Sequence, residues 1–202
     1  MDTTLIVTSW PKPERISYLL ATIKSLDGID AARRVLSCES QDVSRGMRSE
    51  VNGIKGWEIR WRKAPANLGL HLDELFSEAK SNVLYVQDDT PLIAPFVPAQ
   101  ASEEMPYIRF WCEMEGEGMV RVPNGKDMYS DRPFIMHPSF YARFGPYGPG
   151  EGKGRSHEEL FDARVVASDC PVYAMLPSAF GHIGMESVFV PGKVWRKEKL
   201  TC

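Results

Sequence analysis

Residues 83–87 (VLYVQ) form an apolar run, closed by Gln87, that stops on two adjacent acids, Asp88 and Asp89, with Thr90 and Pro91 behind them. Such a run reads as a buried strand, and a buried strand must be covered by other elements. The two acids then sit at a sheet edge. Adjacent carboxylates in that position repel each other and lose solvation, so folding alone gives little reason to place them there. Two explanations stay open. A divalent cation, Mn²⁺ or Mg²⁺, takes oxygen ligands and bridges to phosphate, which makes a nucleotide or nucleotide-diphosphate sugar the first ligand to consider. Alternatively, one Asp caps the next segment and the other is solvated.

The first half of the chain alternates strand and helix patterns. Residues 4–10 (TLIVTSW) are a strand, and residues 13–26 carry Ile16, Leu19, Leu20 and Ile23 at helical spacing with a proline near the first turn. Residues 34–38 and 57–61 read as the second and third strands, and residues 70–79 as a helix with Leu72, Leu75, Phe76 and Ala79 on one face. The alternation predicts an α/β fold, Rossmann-like, with a mostly parallel central sheet flanked by helices. Ligands of such sheets bind beyond the carboxyl ends of the strands, which is where Ser9, Trp10, Glu39, Asp88 and Asp89 fall.

The second half is less regular. Residues 91–106 read as an extended, proline-bearing crossing, and residues 107–112, 119–122, 134–137 and 172–176 as short strands. Residues 145–154 (GPYGPGEGKG) are too rich in Gly and Pro for a regular element, and a loop of this length often serves as a ligand lid. Ser156 followed by Glu159 is a capping box opening a helix whose apolar face holds Leu160, Phe161, Val165 and Val166.

With 202 residues, 43% of them hydrophobic, the chain can bury the core of one domain. A net charge of -3 argues against a globally basic nucleic-acid binder. Locally, Arg45, Arg48, Lys55, Arg60, Arg62 and Lys63, and in the tail Lys193, Arg196, Lys197 and Lys199, are either phosphate-facing patches or solvated faces. Cys38, Cys112, Cys170 and Cys202 are far apart with no CxxC pair, which suits a reducing cytoplasm. No basic leader opens the chain, and no apolar run approaches the ~18 residues needed to span a bilayer, so a cytoplasmic protein is expected.

Four segments, taken in order, resemble the GT-A glycosyltransferases of the family 2 kind. They are TLIVTSWPKPERISYLLATIKSL at the start; Ala66-Asn67-Leu68-Gly69, a helix and VLYVQDD; Gly154-Arg155-Ser156-His157-Glu158-Glu159; and Phe180-Gly181-His182-Ile183-Gly184. The resemblance covers most of the chain and implies one GT-A domain over 1–202, with a nucleotide-sugar-binding half (1–90) and an acceptor-binding and catalytic half (91–202). It implies transfer of a hexosyl or pentosyl group from a nucleotide-diphosphate sugar to an acceptor hydroxyl with Mn²⁺ or Mg²⁺. Gln87-Asp88-Asp89 stands where the family has its DxD-type motif, with Gln87 replacing the leading acid. Asp89 is then the direct metal ligand, His182 its partner, and Asp88 a contact to the ribose or, through water, to the metal.

The resemblance also assigns donor-binding positions to Thr8, Trp10, Arg15, Glu39, Asn67 and Gly69. Glu39 would read the base and Trp10 or Pro11 offer a stacking surface; Arg15, at the positive end of the first helix, would meet a phosphate. Asn67 and Gly69 would let the backbone approach the nucleotide. For the base that an inverting transfer needs, Glu158 and Glu159 are the candidates, with His157 a third; capping occupies Glu159 and so favours Glu158. Each of these residues also has an ordinary reading as a turn, cap or surface group. The acceptor is a saccharide or glycolipid, or a hydroxymethylated base of viral DNA, met by aromatic and basic residues such as Trp111, Tyr129, Arg132, Tyr141, Arg143 and Tyr147. Two rivals remain. A nucleotidyltransferase usually has a glycine-rich phosphate loop where this chain reads SWPKPER, and a non-catalytic nucleotide-sugar-binding protein is suggested by Gln87.

Overall fold

Side chains along the apolar runs alternate between two cores. Leu5 and Val7 of the first strand, with Leu84 and Val86 of the fourth, pack on one face, while Ile6, Val83 and Tyr85 pack on the other. Two-sided burial explains why these strands read as continuous apolar runs. The computed structural model describes residues 2–63, 67–110, 114–125, 128–150 and 156–183. Ala66, Trp111, Cys112, Gly154, Arg155, Gly184, the tail cations and Cys202 lie outside the described residues.

The strands are β1 (Thr3–Ser9), β2 (Arg33–Glu39), β3 (Glu58–Arg62), β4 (Asn82–Gln87), β5 (Tyr107–Arg109), β6 (Gly118–Arg121), β7 (Phe134–Met136) and β8 (Tyr173–Leu176). They form one sheet in the order β3-β2-β1-β4-β7-β5-β8-β6. The block β3-β2-β1-β4 is parallel, as is β5 with β8; β4–β7, β7–β5 and β8–β6 are antiparallel. The mostly parallel sheet expected from the first half is thus completed by a mixed second half. That mixture matters for the site. Because β7 runs against β4, the residues entering β7 lie at the same edge as the residues leaving β4.

Helices α1 (Ile16–Ser25) and α2 (Arg45–Asn52) cover one face through Leu19, Ile23 and Val51. The other face carries α3 (Leu68–Phe76), α4 (Pro138–Phe144) and α5 (His157–Val166), packed through Leu72, Phe76, Phe140 and Phe161. Tyr129 and Tyr147 belong to this second core, both buried, with Tyr147 stacked on Phe161 at 4.1 Å between ring centroids. They are packing groups and not an acceptor surface. The capping box of α5 forms as expected: Glu159 N donates to Ser156 Oγ at 3.1 Å and Ser156 N to Glu159 Oε2 at 2.8 Å.

Two helices escape the hydrophobic pattern. In α2 the signal is its cap, Ser44 Oγ accepting from Met47 N at 3.2 Å, because the helix buries little beyond Val51. In α4 it is Pro138 in the first turn behind His137, whose ring nitrogen accepts from Ser139 N at 3.3 Å.

The described part of the Gly- and Pro-rich loop, 145–150, is fastened rather than free. Asp73 of α3 accepts from Tyr147 N at 2.7 Å, Gly148 N at 2.9 Å and Tyr141 Oη at 2.8 Å. Gly69 lets the loop come this close: a Cβ at that position would lie 2.1 Å from Gly148 O and 2.7 Å from His157 Cβ. Gly69→Ala is therefore expected to destabilise the protein by ~1–3 kcal/mol, since backbone must move to admit the methyl group. Urea unfolding checks this, and an unchanged midpoint would contradict the packing described.

Candidate active site at the carboxyl edge of the sheet

Strands β2 and β3 lie to one side of β1 and β4 to the other, so the connections diverge at the carboxyl ends of β1 and β4. Such a switch point leaves a crevice, the usual ligand site of open α/β sheets. Ser9 leaves β1 there and Asp88 and Asp89 leave β4. A tight turn aims the acids: Thr90 N donates to Gln87 O at 3.2 Å, and Thr90 Oγ1 donates to the same oxygen at 2.9 Å.

Asp88 and Asp89 are both buried. Their charge is balanced by Arg15, whose Nη2 hydrogen-bonds Asp88 Oδ1 and lies 3.1 Å from Asp89 Oδ2. Ser9 Oγ donates to Asp88 Oδ2 at 2.6 Å, and Thr22 Oγ1 of α1 donates to the Asp88 carbonyl at 2.9 Å. Both Asp88 oxygens are therefore engaged inside the protein. Burial pushes the Asp88 carboxyl above its ordinary range against the pull of Arg15. Burial also works against the Asp89 charge, but His182 and Arg15 outweigh it and hold that carboxyl below the ordinary range. The electrostatic puzzle of the paired acids thus has an answer in the chain itself.

His182 arrives by a strand-like return. After β8, residues 179–183 run antiparallel to 89–93, with Ile93 N donating to Ala179 O at 2.8 Å, Gly181 N to Pro91 O at 3.0 Å and Ile183 N to Asp89 O at 2.9 Å. This register puts His182 Nε2 3.2 Å from Asp89 Oδ2. Adjacent ligands of an octahedral ion at ~2.1 Å are ~3 Å apart, so this carboxylate and imidazole fit a divalent cation as neighbouring donors. No group of three or more potential ligands is found among the described residues. A metal held here would have Asp89 and His182 as its protein donors and would leave room for phosphate and water, as Mg²⁺-type sites commonly do.

Other expected site residues lie in separate settings. Thr8 Oγ1 is 2.8 Å from Tyr85 Oη, buried in the sheet. Trp10 Nε1 donates to Gln41 O at 2.8 Å, and Lys12 Nζ sits 4.0 Å over its ring. Glu39 is 3% exposed, with Arg62 Nη1 and His71 Nδ1 each 3.3 Å from its Oε1. His71 Nε2 in turn meets Ser37 Oγ at 2.6 Å. Glu39 Oε2, also buried, has no hydrogen-bond partner among the described residues. Asn67 caps α3, accepting from Leu70 N at 3.0 Å, and donates to Pro149 O at 3.2 Å. With Gly69, it secures the 145–150 loop.

Of the two acids opening α5, Glu159 is used in the capping box, while Glu158 Oε1 accepts from Asp131 N at 3.1 Å. Asp131 precedes β7 and so lies at the same sheet edge as Asp89, whose charge it feels. Burial raises both carboxyls, Asp131 to about 6 and Glu158 to about 7. Asp131 sits in no recognisable sequence motif, and only the antiparallel direction of β7 brings it to the site.

Of the cations in the basic stretch 41–63, Arg60 and Arg62 are held in ion pairs, as is Arg33 outside it. Arg33 and Arg60 bind Glu58, Arg60 also binds Glu78, and Arg62 binds Glu39 and Glu74. Arg48 covers the Trp61 ring at 4.9 Å. Among the described residues no helix is long and apolar enough to cross a membrane.

No family model matches the sequence, and no curated protein matches it. Solved structures do match. The structure of GalNAc-T7 with UDP, GalNAc and Mn²⁺ is similar with a TM-score of 0.62 at 11% identity, over 91% of this chain and 44% of that one. S. aureus TarS 1-349 gives a TM-score of 0.49 at 14% identity, over 89% of this chain and 59% of that one. The chain spans less than two thirds of either structure. Strand order, the switch point with its two acids and the likeness to the GalNAc-T7 structure agree: the chain has the Rossmann-like GT-A fold of glycosyltransferases.

Proposed function

We propose that this protein transfers a sugar from a nucleotide-diphosphate sugar to an acceptor hydroxyl, using Mn²⁺ or Mg²⁺. The observation that carries the reading is the convergence of Asp89 and His182, 3.2 Å apart, at the switch point of a GT-A sheet. Asp89 and His182 hold the metal, which when bound neutralises charge on the departing diphosphate. Asp88, fixed by Ser9 and Arg15, shapes the ribose side. Arg15 leaves the acid pair with one net negative charge, enough to attract a cation without trapping it.

Trp10 and Glu39 take the base, the unpartnered Glu39 oxygen accepting an N–H; Thr8 supports the pocket floor through Tyr85. Asn67 and Gly69 act indirectly, holding the 145–150 loop in place. Residues 1–90 form the donor half and 91–202 the acceptor half. Glu158 is the general base: it accepts the proton of the acceptor hydroxyl as that oxygen bonds to the anomeric carbon, and the carbon–oxygen bond to the diphosphate breaks with its electron pair leaving on the diphosphate. Glu159 keeps the helix end in register.

A saccharide or glycolipid hydroxyl is the proposed acceptor. A hydroxymethylated DNA base is the alternative, with Arg60 and Arg62 of the basic stretch already paired with acids. Salt-sensitive DNA binding tests that alternative. For the donor, a panel of UDP-, GDP- and TDP-sugars is expected to contain at least one that raises the melting temperature by ~5–10 °C at saturating concentration, only with Mn²⁺ or Mg²⁺ present, and is slowly hydrolysed. Stabilisation without any turnover supports a non-catalytic binder instead, and pyrophosphate release a nucleotidyltransferase. Neither stabilisation nor turnover across the panel ends the transferase reading.

A further inference from the structure

Polar residues interrupt the core beneath α3. Along β2, Val35, Ser37 and Glu39 alternate onto the face that α3 covers, while Leu36 and Cys38 take the opposite face. Ser37, Glu39, His71 of α3 and Arg62 of β3 are all buried. Such a cluster costs stability unless its hydrogen bonds close on one another. Most of them do. Ser37 Oγ lies 2.6 Å from His71 Nε2, and His71 Nδ1 and Arg62 Nη1 each lie 3.3 Å from Glu39 Oε1. Arg62 also has the Glu74 carboxylate at 3.0 Å, so its charge alone does not call for Glu39. Nor does Glu39 Oε2 serve the cluster, being buried with no hydrogen-bond partner among the described residues.

Counting donors and acceptors places the protons. A carboxylate only accepts, so the His71 Nδ1 that faces Glu39 carries a hydrogen, and in a neutral imidazole Nε2 then accepts from the Ser37 hydroxyl. Both donors converge on Oε1 and leave Oε2 to whatever lies beyond the end of β2. The register of β1 with β2 pairs Ser9 with Cys38, which sets Glu39 level with Trp10. Beyond Glu39 the chain emerges at once, Ser40 being half-buried and Gln41 exposed.

We propose that His71, held by Ser37, is a positioning residue: with Arg62 it pins one oxygen of residue 39 and so fixes which atom of that side chain meets the donor base. This rests on the nucleotide-sugar reading, with Glu39 in the base pocket. With Oε1 pinned, the pocket offers a single acceptor. That suits a base bearing a ring N–H, namely uracil, thymine or guanine, and sets the oxygen against a ring-nitrogen lone pair in cytosine or adenine. A pinned carboxyl also behaves differently from a freely rotating one when it is replaced. In Glu39→Gln the two donors hold the amide oxygen in the place of Oε1, which forces the NH₂ group into the place of Oε2. The pocket then turns from acceptor to donor, and preference passes to cytosine and adenine.

Calorimetry of the full chain with Mn²⁺ and, in turn, UDP, TDP, GDP, CDP and ADP tests the assignment. In the wild type the tightest of UDP, TDP and GDP should bind ~10–100-fold more tightly than CDP or ADP, the range that a hydrogen bond to a charged group supplies. Glu39→Gln should reverse that order. His71→Leu should shrink the wild-type preference at least ~3-fold, and His71→Asn, whose amide nitrogen can stand where Nδ1 does, should restore it. Imidazole ¹⁵N NMR of the wild type needs neither variant nor ligand: at about pH 8, Nδ1 of His71 should carry the proton. Should His71→Leu fold poorly, the Glu39→Gln order and the NMR signal decide. Equal affinity for all the nucleotides, a Glu39→Gln protein that keeps the wild-type order, or an Nδ1 without its proton overturns the proposal and leaves the transferase reading standing. If none of the nucleotides binds, the role of His71 toward the base falls together with the transferase reading.

Discussion

Replacing Arg15 by methionine will destabilise the protein by ~3–5 kcal/mol at neutral pH, a large share of a typical domain's stability. Arg15 is 7% exposed and is the cation between two acids that are themselves buried. Methionine fills similar space but leaves Asp88 and Asp89 facing each other, with only Ser9 and His182 to assist them. The loss has a pH signature. Without the guanidinium, burial and mutual repulsion raise the folded-state carboxyls above their unfolded values. Groups raised in this way add stability below the unfolded pKa and lose it as pH rises, so the variant gains on the wild type as pH falls toward 4. Urea unfolding at several pH values measures this. A loss below ~1 kcal/mol, the range of exposed pairs, would mean that Arg15 does not balance the acids. Adding Asp88→Asn should recover part of the loss, because the buried charge that lacks a partner is then gone.

Asp89→Ala will remove metal-dependent turnover, by ~100-fold or more, while the protein still folds. A metal contributes several kcal/mol to stabilising a departing diphosphate, and each 1.4 kcal/mol is about tenfold in rate. Asp89 Oδ2 lies 3.1 Å from Arg15 Nη2 and 3.2 Å from His182 Nε2, at the point where the proposed ion would be held. The fold survives because Arg15 retains Asp88, and Ile183 N still donates to the backbone carbonyl of residue 89. Mn²⁺ titration followed by electron paramagnetic resonance, alongside hydrolysis of the donor found in the panel, checks both halves. Unchanged Mn²⁺ affinity in a folded Asp89→Ala protein would move the metal elsewhere.

The parallel half of the sheet is readable because its strands are buried on both faces and its helices α1 and α3 keep one apolar stripe each. Direction is what the pattern cannot carry. Residues 134–137 look like a strand in either orientation, and only pairing with β4 and β5 makes it antiparallel and delivers Asp131 to the site. The charged α2 was hidden for the opposite reason, having almost no buried face, so that its basic residues read as a patch. At the site, the acid pair and His182 can be picked out because charge after an apolar run and a small-residue return are local signals. Arg15 is visible as a first-turn residue, but its direction is not. Helix-end reasoning aims it at a phosphate, whereas packing of α1 against β1 and β4 turns it onto Asp88. Gly69 is likewise visible as a glycine that something must approach; the approaching groups are Gly148 and His157.

Calorimetric titration of a nucleotide-diphosphate sugar into the wild-type protein and Asp89→Ala, each with and without Mn²⁺, tests the central claim most directly. Binding is expected for the wild type with Mn²⁺ and should weaken at least ~10-fold when either the ion or the Asp89 carboxylate is removed, with no further loss when both are absent. Equal affinity under all four conditions would contradict the assignment of Asp89 and His182 as the metal-holding end of a donor site.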